Sequence, residues 1–541
     1  MHNTAKTNIL ILPALIVITP FLVFLNYNSY CLACAETWMA LGGLIALAMI
    51  CSIIMLLGGW RVRGLVMAVL IIFFIDLPFT PWNLIDWTTI LLFAGMQTFV
   101  LCLFLKEKFY TIATAIFLTY FVVTVFQLSL AATKSNGLFE HVSPQIHSPP
   151  RIIHLILDEH IGIEGIPTDI EGSAATKNLI TRFYLKNGFQ LSGGAYSRYF
   201  YTHASIGHML NFAAESHTAA LMSGPGPYDL LRNEYFKLLS DKKYHIEVLS
   251  PGWIDFCSDP TVVSTACIEK HWGILKNFAK LDLPVSQKLQ VLYSRYFIQS
   301  SIVAATIYVV VLPLQPKFSA FSQWVWAFHP DRARTDSLNA LADLKVLWSN
   351  ILSLPHATVL FAHLLIPHHP YVAHSDCSIR SSNRDFLWNY RGLFDPPPTN
   401  TAASRKERYQ QYFQQLECLY LRLDELFDRM RAAGIYDDSI IVLHGDHGSR
   451  IVMTEPTAEN QHALTKRDLV DGFSTLFAMK LPDKPGAYDK SPWPLEQLFA
   501  KFAFEAGLAP TNILPEKSEP YIYLTGGSDK EFVRIPYVPP N

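Results

Sequence analysis

Three apolar runs of this sequence each lead into a pair of residues that can bind a metal ion or an anion. Asp158 and Glu159 follow IIHLIL, His368 and His369 follow TVLFAHLLIP, and Asp446 and His447 follow IIVLHG. Carboxylates with imidazoles favour a divalent ion such as Zn²⁺ or Mn²⁺ over an all-oxygen Ca²⁺ cage, and they leave Mg²⁺ and Ca²⁺ possible. A single pair is compatible with an ordinary turn or cap. Three pairs together predict one shared site.

The elements that must position these pairs are strands of a buried sheet. Short continuous apolar runs at 152–157, 358–366 and 440–443 are typical of strands covered on both faces. Between them lie helical patterns, above all 405–434, which ends at a glycine. Alternating strands and helices predict an α/β domain over 151–541, with a mostly parallel sheet covered by helices. Ligands bind at the carboxyl ends of such strands, where the three pairs lie.

The composition indicates a membrane protein. Half of the 541 residues are hydrophobic and the formal net charge is −2, which excludes a nucleic-acid binder and disfavours an ordinary soluble enzyme. Five stretches approach the roughly 20 residues that a membrane-spanning helix needs. They lie near 8–26, 37–58, 64–81, 87–105 and 110–132. We therefore expect a five-helix transmembrane domain at 1–135 and a linker at 136–150.

Basic residues between these stretches predict their orientation. Lys6, Arg61, Arg63, Lys106 and Lys108 lie in alternate connections, while the intervening loops NYNSYCLACAET and PWNLID contain neither Lys nor Arg. Because positive charge marks the cytoplasmic side, the amino terminus is expected inside. An odd number of spans then places the α/β domain outside a bacterial inner membrane, in the periplasm or the extracellular space.

Two further stretches bear on this topology. Cys257 and Cys267 lie ten residues apart, and an oxidising compartment would let them form a disulfide, although their spacing alone leaves this open. Residues 302–316 are apolar but contain Pro313. This stretch is short, so it favours a core or interfacial helix over a sixth span.

Four motifs together resemble the alkaline phosphatase and sulfatase superfamily. They are LILDEH at 155–160, THASIGHMLNF at 202–212, IPHHPY at 366–371 and GDHG at 445–448, in the order in which that family has them. The resemblance covers about residues 150–485. An ordered set of motifs is much more specific than any one of them.

The resemblance implies roles for individual residues. The implied metal ligands are Asp158, Asp446 and His447, with Glu159 at a second acidic position that only some members use. His368 resembles the histidine that holds the anionic group of the substrate, and His462 is a second candidate for that role. Arg450 could bind phosphate, but the sequence alone favours an exposed structural ion pair at this position.

The residue at the nucleophile position separates branches of the superfamily. Sulfatases carry Cys-x-Pro-Ser-Arg there, or the same motif with serine first, whereas this chain reads Thr202-His-Ala-Ser205-Ile. No cysteine is present for oxidation to formylglycine, and the proline and arginine are missing. The resemblance therefore implies Thr202 as nucleophile, with Ser205 as the nearest alternative. A helix-capping role for Thr202 is the structural alternative.

Membrane spans before such a domain look like those of phosphoethanolamine transferases and lipoteichoic acid synthases. The resemblance implies a metal-dependent transferase that moves a phospho-alcohol group from a phospholipid to a cell-envelope acceptor through a threonine intermediate. One alternative is a membrane-anchored sulfatase-like hydrolase of phosphate or sulfate esters. A second is a non-catalytic membrane scaffold that keeps the fold.

Overall fold

A computed structural model describes most of the chain. The described residues are 2–75, 84–133, 149–213, 221–223, 228–262, 267–271, 278–281, 283–298, 333–380, 401–514, 519–526 and 532–540. The chain forms two compact units, one of Met1–Gly137 with Gly273–Thr335 and one of Leu138–Trp272 with Asp336–Asn541. The apolar stretch 302–316, expected to be a core or interfacial helix, lies outside the described residues.

The helices are numbered in chain order. They are α1 (His2–Tyr27), α2 (Ala35–Leu57), α3 (Trp60–Ile75), α4 (Leu84–Leu105), α5 (Glu107–Thr133), α6 (Ser173–Lys186), α7 (Thr202–Leu210), α8 (Glu234–Asp241), α9 (Val285–Ile298), α10 (Ala333–Leu352), α11 (Ala402–Ala432), α12 (Lys466–Phe473) and α13 (Leu495–Glu505). Short 3-10 helices lie at Phe278–Lys280, Gln461–Ala463 and Thr511–Ile513.

The first unit contains α1 to α5 and α9. Three of its helical stretches, Thr7–Tyr27, Ala35–Leu57 and Glu107–Leu128, are long and apolar enough to cross a membrane. Helices α3 and α4 lie at the positions of the other two expected spans, and the count of five spans stays a prediction. Helix α9 also packs within this unit, since the Tyr296 ring meets that of Phe21 at 5.0 Å. The expected catalytic-domain range 151–541 includes the residues of α9, and the domain boundaries stay a prediction.

The strands of the second unit are numbered in the same way. They are β1 (Ile152–Leu157), β2 (Gln190–Ser192), β3 (Ala195–Tyr196), β4 (Met222–Ser223), β5 (Tyr228–Leu230), β6 (His245–Ser250), β7 (Ile254–Asp255), β8 (Cys267–His271), β9 (Thr358–Leu364), β10 (Ile440–His444), β11 (Phe477–Lys480), β12 (Ala487–Asp489), β13 (Trp493–Pro494), β14 (Tyr521–Thr525) and β15 (Phe532–Pro536).

The expected mostly parallel sheet is present. Eight strands are ordered β12-β2-β11-β10-β1-β9-β6-β8, and among them β11 alone runs antiparallel to its neighbours. The three apolar runs of the sequence form β1, β9 and β10, and every residue of these strands is buried. Strand β1 lies between the other two, so the three carboxyl ends meet at one edge. Ile156 pairs in register with both His363 and His444.

Helix α11 and a disulfide hold the chain that leaves β9. Thr401 caps α11 by a reciprocal capping box with Ser404, and the chain beyond the helix turns at Gly434, whose φ is 69°. Glycine takes this left-handed conformation without steric cost. The Cys377–Cys418 disulfide joins the loop after β9 to α11. The Cys257–Cys267 bridge that the sequence left open is formed, as is a bridge between Cys31 and Cys34.

Candidate metal and nucleophile site

Asp158 and Asp446 stand at the ends of β1 and β10 and are completely buried. Oδ2 of Asp158 is 2.9 Å from Nε2 of His363, while its Oδ1 has no hydrogen bond among the described residues. Oδ1 of Asp446 accepts the backbone N–H of Glu159 at 3.1 Å, while its Oδ2 likewise has none. Each carboxylate is therefore oriented through one oxygen and leaves the other available to a ligand.

His447 brings a ring nitrogen to these oxygens. Its Nδ1 lies 3.0 Å from the carbonyl oxygen of Gly448, which can only accept, so Nδ1 carries a proton. In the neutral ring Nε2 then presents a lone pair, 2.9 Å from Oδ2 of Asp446 and 4.0 Å from Oδ1 of Asp158. A lone pair facing carboxylate oxygens is repulsive unless a proton or a metal cation lies between them.

Thr202 places its hydroxyl beside the same nitrogen. It is the first residue of α7, and Oγ1 lies 3.1 Å from Nε2 of His447. Tyr201, not Thr202, is the N-cap residue, and no side chain caps this helix. The capping alternative for Thr202 therefore does not describe its position. The Ser205 hydroxyl instead donates to the backbone carbonyl of Asp446, which fixes the loop behind the carboxylate.

A second group of buried ligand atoms lies in the same region. Glu159, His368 and His369 present atoms within 4.8 Å of one another. Nδ1 of His369 is 3.0 Å from Oε1 of Glu159, and Nε2 of His368 is 3.6 Å from the same oxygen. Nδ1 of His368 lies near the carbonyl oxygen of His369, which leaves Nε2 of a neutral His368 with a lone pair.

Burial sets the protonation of the second group. It lowers the pKa of His368 below its ordinary value, against the charge of Glu159, and lowers that of His369 further. Both rings are therefore neutral at pH 7 and can bind a metal ion. Burial also raises the pKa of the Glu159 carboxyl, more than a protonated His368 and the charge of Arg450 lower it.

The carboxylate of Asp446 behaves differently. Burial would raise its pKa, but a proton on Nε2 of His447, through its charge and its hydrogen bond, holds the pKa well below its ordinary value. A metal cation between the two groups has the same effect. A carboxylate that stays ionised in a buried site needs a compensating cation. The donor set of Asp158, Asp446 and His447, with the Thr202 hydroxyl beside it, fits one divalent ion through the orphaned carboxylate oxygens. Glu159, His368 and His369 have a chemistry that fits a second.

The loop that carries Asp446 and His447 is packed too closely to accept larger residues. The N–H of Gly448 donates to the carbonyl of Gly472 at 3.0 Å, and a Cβ at Gly448 would collide with the carbonyl oxygen of Asp471. Arg450, two residues after Gly448, donates its backbone N–H to this carbonyl oxygen of Asp471 at 3.0 Å. Close backbone contact therefore explains the glycine after the histidine.

The structure separates some of the residues that the sequence singled out. Glu159, expected beside the other metal ligands, groups with His368 and His369. His462 is exposed on Gln461–Ala463 and belongs to neither ligand group, so its substrate role stays a prediction. His363, whose imidazole orients Asp158, was not anticipated. The resemblance implies no role for His369, which the structure places in the second ligand group.

Arg450 is also placed differently from the expectation. The sequence favoured an exposed ion pair, but its side chain is only 11% exposed and lies 3.8 Å from Oε1 of Glu159. The reason is a contact across 250 residues of sequence, because its guanidinium donates twice to the carbonyl oxygen of Phe200.

The chain resembles several known proteins in structure. No family model and no curated protein matches it. Among solved structures, the periplasmic domain of EptC from Escherichia coli aligns at 13% identity with a TM-score of 0.42, covering 73% of this chain and 97% of that domain. The lipoteichoic acid synthase LtaP from Listeria monocytogenes aligns at 13% identity and a TM-score of 0.35, covering 72% and 85%.

A protein of the alkaline phosphatase superfamily from Vibrio parahaemolyticus aligns at 10% identity with a TM-score of 0.40, covering 72% of this chain and 76% of that one. At such scores the alignments show a similarity and assign no role to any residue. The roles of the site residues are argued from their geometry alone. The resemblance to the alkaline phosphatase and sulfatase superfamily rests on the four ordered motifs of the sequence.

Proposed function

We propose that this chain is a membrane-anchored, metal-dependent transferase that moves a phospho-alcohol group from a phospholipid to a cell-envelope acceptor. The observation that carries the proposal is the position of the Thr202 hydroxyl, 3.1 Å from Nε2 of His447. The same nitrogen lies 2.9 Å from Oδ2 of Asp446 and 4.0 Å from Oδ1 of Asp158. Candidate membrane-spanning helices in the same chain support a lipid donor. The group transferred would be phosphoethanolamine, phosphoglycerol or a related phospho-alcohol.

A threonine hydroxyl is a poor nucleophile at neutral pH and needs activation. A divalent ion held by Asp158, Asp446 and His447 would stabilise the alkoxide and polarise the phosphoryl oxygen. Thr202 also begins α7, whose positive dipole end favours negative charge at this position. His363 and the N–H of Glu159 hold the two carboxylates in place. For His368 to bind the anionic group of the substrate, as the resemblance implies, its Nε2 would have to carry a proton.

The reaction proceeds in two displacements. Thr202 Oγ1 bonds to phosphorus, the bond to the lipid alcohol breaks, and the alcohol leaves with the proton that the threonine gave up. The acceptor hydroxyl then bonds to phosphorus, the threonine–phosphorus bond breaks, and Thr202 recovers a proton from the acceptor. Catalysis consists of positioning and charge stabilisation, which buried groups in fixed orientations provide.

Product analysis with a headgroup-labelled phospholipid separates this reaction from its alternative. A transferase passes the label to an envelope acceptor, whereas a hydrolase with the same site releases it as a water-soluble phospho-alcohol. A non-catalytic scaffold does neither. Thr202→Ala should abolish both reactions while the protein stays folded and metal-loaded, and Ser205→Ala should retain activity. Activity that survives Thr202→Ala would contradict the proposal.

A further inference from the structure

Arg450 keeps a backbone conformation that is costly for its residue type. Its φ is 54°, in the left-handed region, where glycine is favoured because any Cβ meets the following carbonyl. It stands two residues after Gly448, in the loop that supplies Asp446 and His447. Strained non-glycine residues at such loops point to a role for the side chain.

The guanidinium of Arg450 is held through two of its three nitrogens. Nε and Nη2 donate to the carbonyl oxygen of Phe200 at 3.2 and 2.8 Å. The group also lies over the rings of Phe200 and Tyr201, with centroids at 5.0 and 5.6 Å. Nη1 has no hydrogen bond within the part of the chain that the structure describes. Its nearest charged atom there is Oε1 of Glu159, at 3.8 Å, beyond hydrogen-bond distance.

The backbone that anchors this cation leads directly to the nucleophile. Phe200, whose carbonyl anchors the guanidinium, lies two residues before Thr202, and Glu159 follows the carboxylate of Asp158. Nη1 is therefore held between the nucleophile segment and the ligand cluster. A phosphoryl group bonded to Thr202 Oγ1 carries oxygens that no metal contact needs to occupy, and an arginine donor matches such an oxygen in charge and geometry.

We propose that Arg450 forms an anion subsite that binds a non-bridging phosphoryl oxygen of the donor and of the threonine-linked intermediate. This inference rests on the proposed function and adds the residue that recognises the phosphodiester. In the first displacement Arg450 exchanges no proton, and its Nη1 hydrogen bond strengthens as negative charge accumulates on the oxygen. The competing interpretation is that Arg450 only supports the Phe200 carbonyl and balances Glu159.

Arg450→Gly separates these interpretations, because glycine removes the side chain and suits the backbone. The matched control is Arg431→Gln. Arg431 also lies over an aromatic ring, that of Tyr436 at 4.3 Å, but Tyr436 precedes β10 and so lies toward the opposite edge of the sheet. For each full-length protein in detergent micelles, metal content, thermal unfolding and the rate of label transfer to Thr202 from headgroup-labelled phosphatidylethanolamine are measured.

We expect Arg450→Gly to fold, to keep its metal and to label Thr202 at least 100-fold more slowly than wild type. Arg450→Lys, which keeps the charge but not the fork of donors, should be intermediate, and Arg431→Gln should be within about twofold of wild type. Labelling of folded Arg450→Gly within threefold of wild type would overturn the inference. If Arg450→Gly does not fold, Arg450→Lys replaces it in the test. A labelling rate for Arg450→Lys equal to that of wild type would then overturn the inference.

A binding measurement keeps this test independent of the proposed reaction. If wild type itself transfers no label, the proposed function fails for this donor, and calorimetric titration of the metal-loaded protein with inorganic phosphate tests the subsite directly. We expect phosphate to bind wild type at least tenfold more tightly than Arg450→Gly and Arg450→Lys to lie between them. Equal affinities in all three proteins would refute the anion subsite.

Discussion

His160 makes a pH-dependent contribution to stability that can be measured directly. It follows Asp158 and Glu159 in sequence and is completely buried. Its Nδ1 lies 2.9 Å from the carbonyl oxygen of Ile161, and its Nε2 lies 2.8 Å from the hydroxyl oxygen of Tyr420. Burial lowers the pKa of His160 from 6.5 to about 4. The ring is therefore neutral in the folded protein across the whole physiological range.

The direction of the effect follows from the two pKa values. The unfolded chain takes up a proton at His160 near pH 6.5, whereas the folded protein does so only near pH 4. The contribution of His160 to the unfolding free energy is therefore fully present above pH 6.5. It is lost as the pH falls toward 4, because the unfolded chain binds the proton first. A pKa difference of this size corresponds to about 3 kcal/mol of unfolding free energy.

The perturbation is His160→Gln, which keeps a donor and an acceptor but cannot be protonated. Unfolding free energies of wild type and variant are measured at pH 7 and pH 4 in the same chelator, so that metal binding does not differ between them. Wild type should lose about 3 kcal/mol more than the variant over this interval. Parallel losses in the two proteins would refute the assignment of the lowered pKa to this residue.

Three further predictions concern the site and the topology. Asp446→Asn combined with His447→Gln should lower the metal content by about one ion per chain, measured by plasma emission, and unchanged content would exclude these ligands. Gly448→Ala should lower the unfolding free energy by about 1–3 kcal/mol, because its Cβ collides with the Asp471 carbonyl, and an unchanged melting temperature would argue against that packing. In intact cells, a membrane-impermeant maleimide should modify Lys406→Cys, and modification only after lysis would place the catalytic domain inside.

The sequence was sufficient to locate the three strands that build the site. Continuous apolar runs ending in acid or histidine pairs became β1, β9 and β10, and parallel pairing brings their carboxyl ends to one edge. Each polar pair consists of adjacent residues that follow an apolar run, so the sequence alone indicates which pair ends which strand. The helix over 405–434 was also predictable, since periodic apolar spacing and a terminal glycine are local signals.

The division of the ligand residues into two groups could not be predicted from the same signals. Glu159 adjoins Asp158 in sequence, but its backbone φ of 62° turns it toward His368 and His369. His363 lies within β9, where both faces are buried, so alternation gave no sign that its ring meets Asp158. Such contacts depend on strand register and loop conformation, which single-sequence patterns do not encode.

Arg450 shows the same limit in another form. An arginine after Gly448 and Ser449 has the local pattern of a solvated residue, and only the return of Phe200 to this loop buries it. The position of helix α9 is set in the same way, because its Tyr296 packs against Phe21 of α1, far away in sequence. Both outcomes are set by contacts between residues far apart in sequence.

Detection of a covalent intermediate on Thr202 tests the proposed nucleophile directly. Full-length protein is incubated with headgroup-labelled phosphatidylethanolamine without acceptor, digested and sequenced by tandem mass spectrometry. We expect a mass increase equal to phosphoethanolamine on Thr202, still present in Ser205→Ala and missing in Thr202→Ala. Turnover with the mass increase on Ser205, or with neither hydroxyl modified at any time, would contradict it.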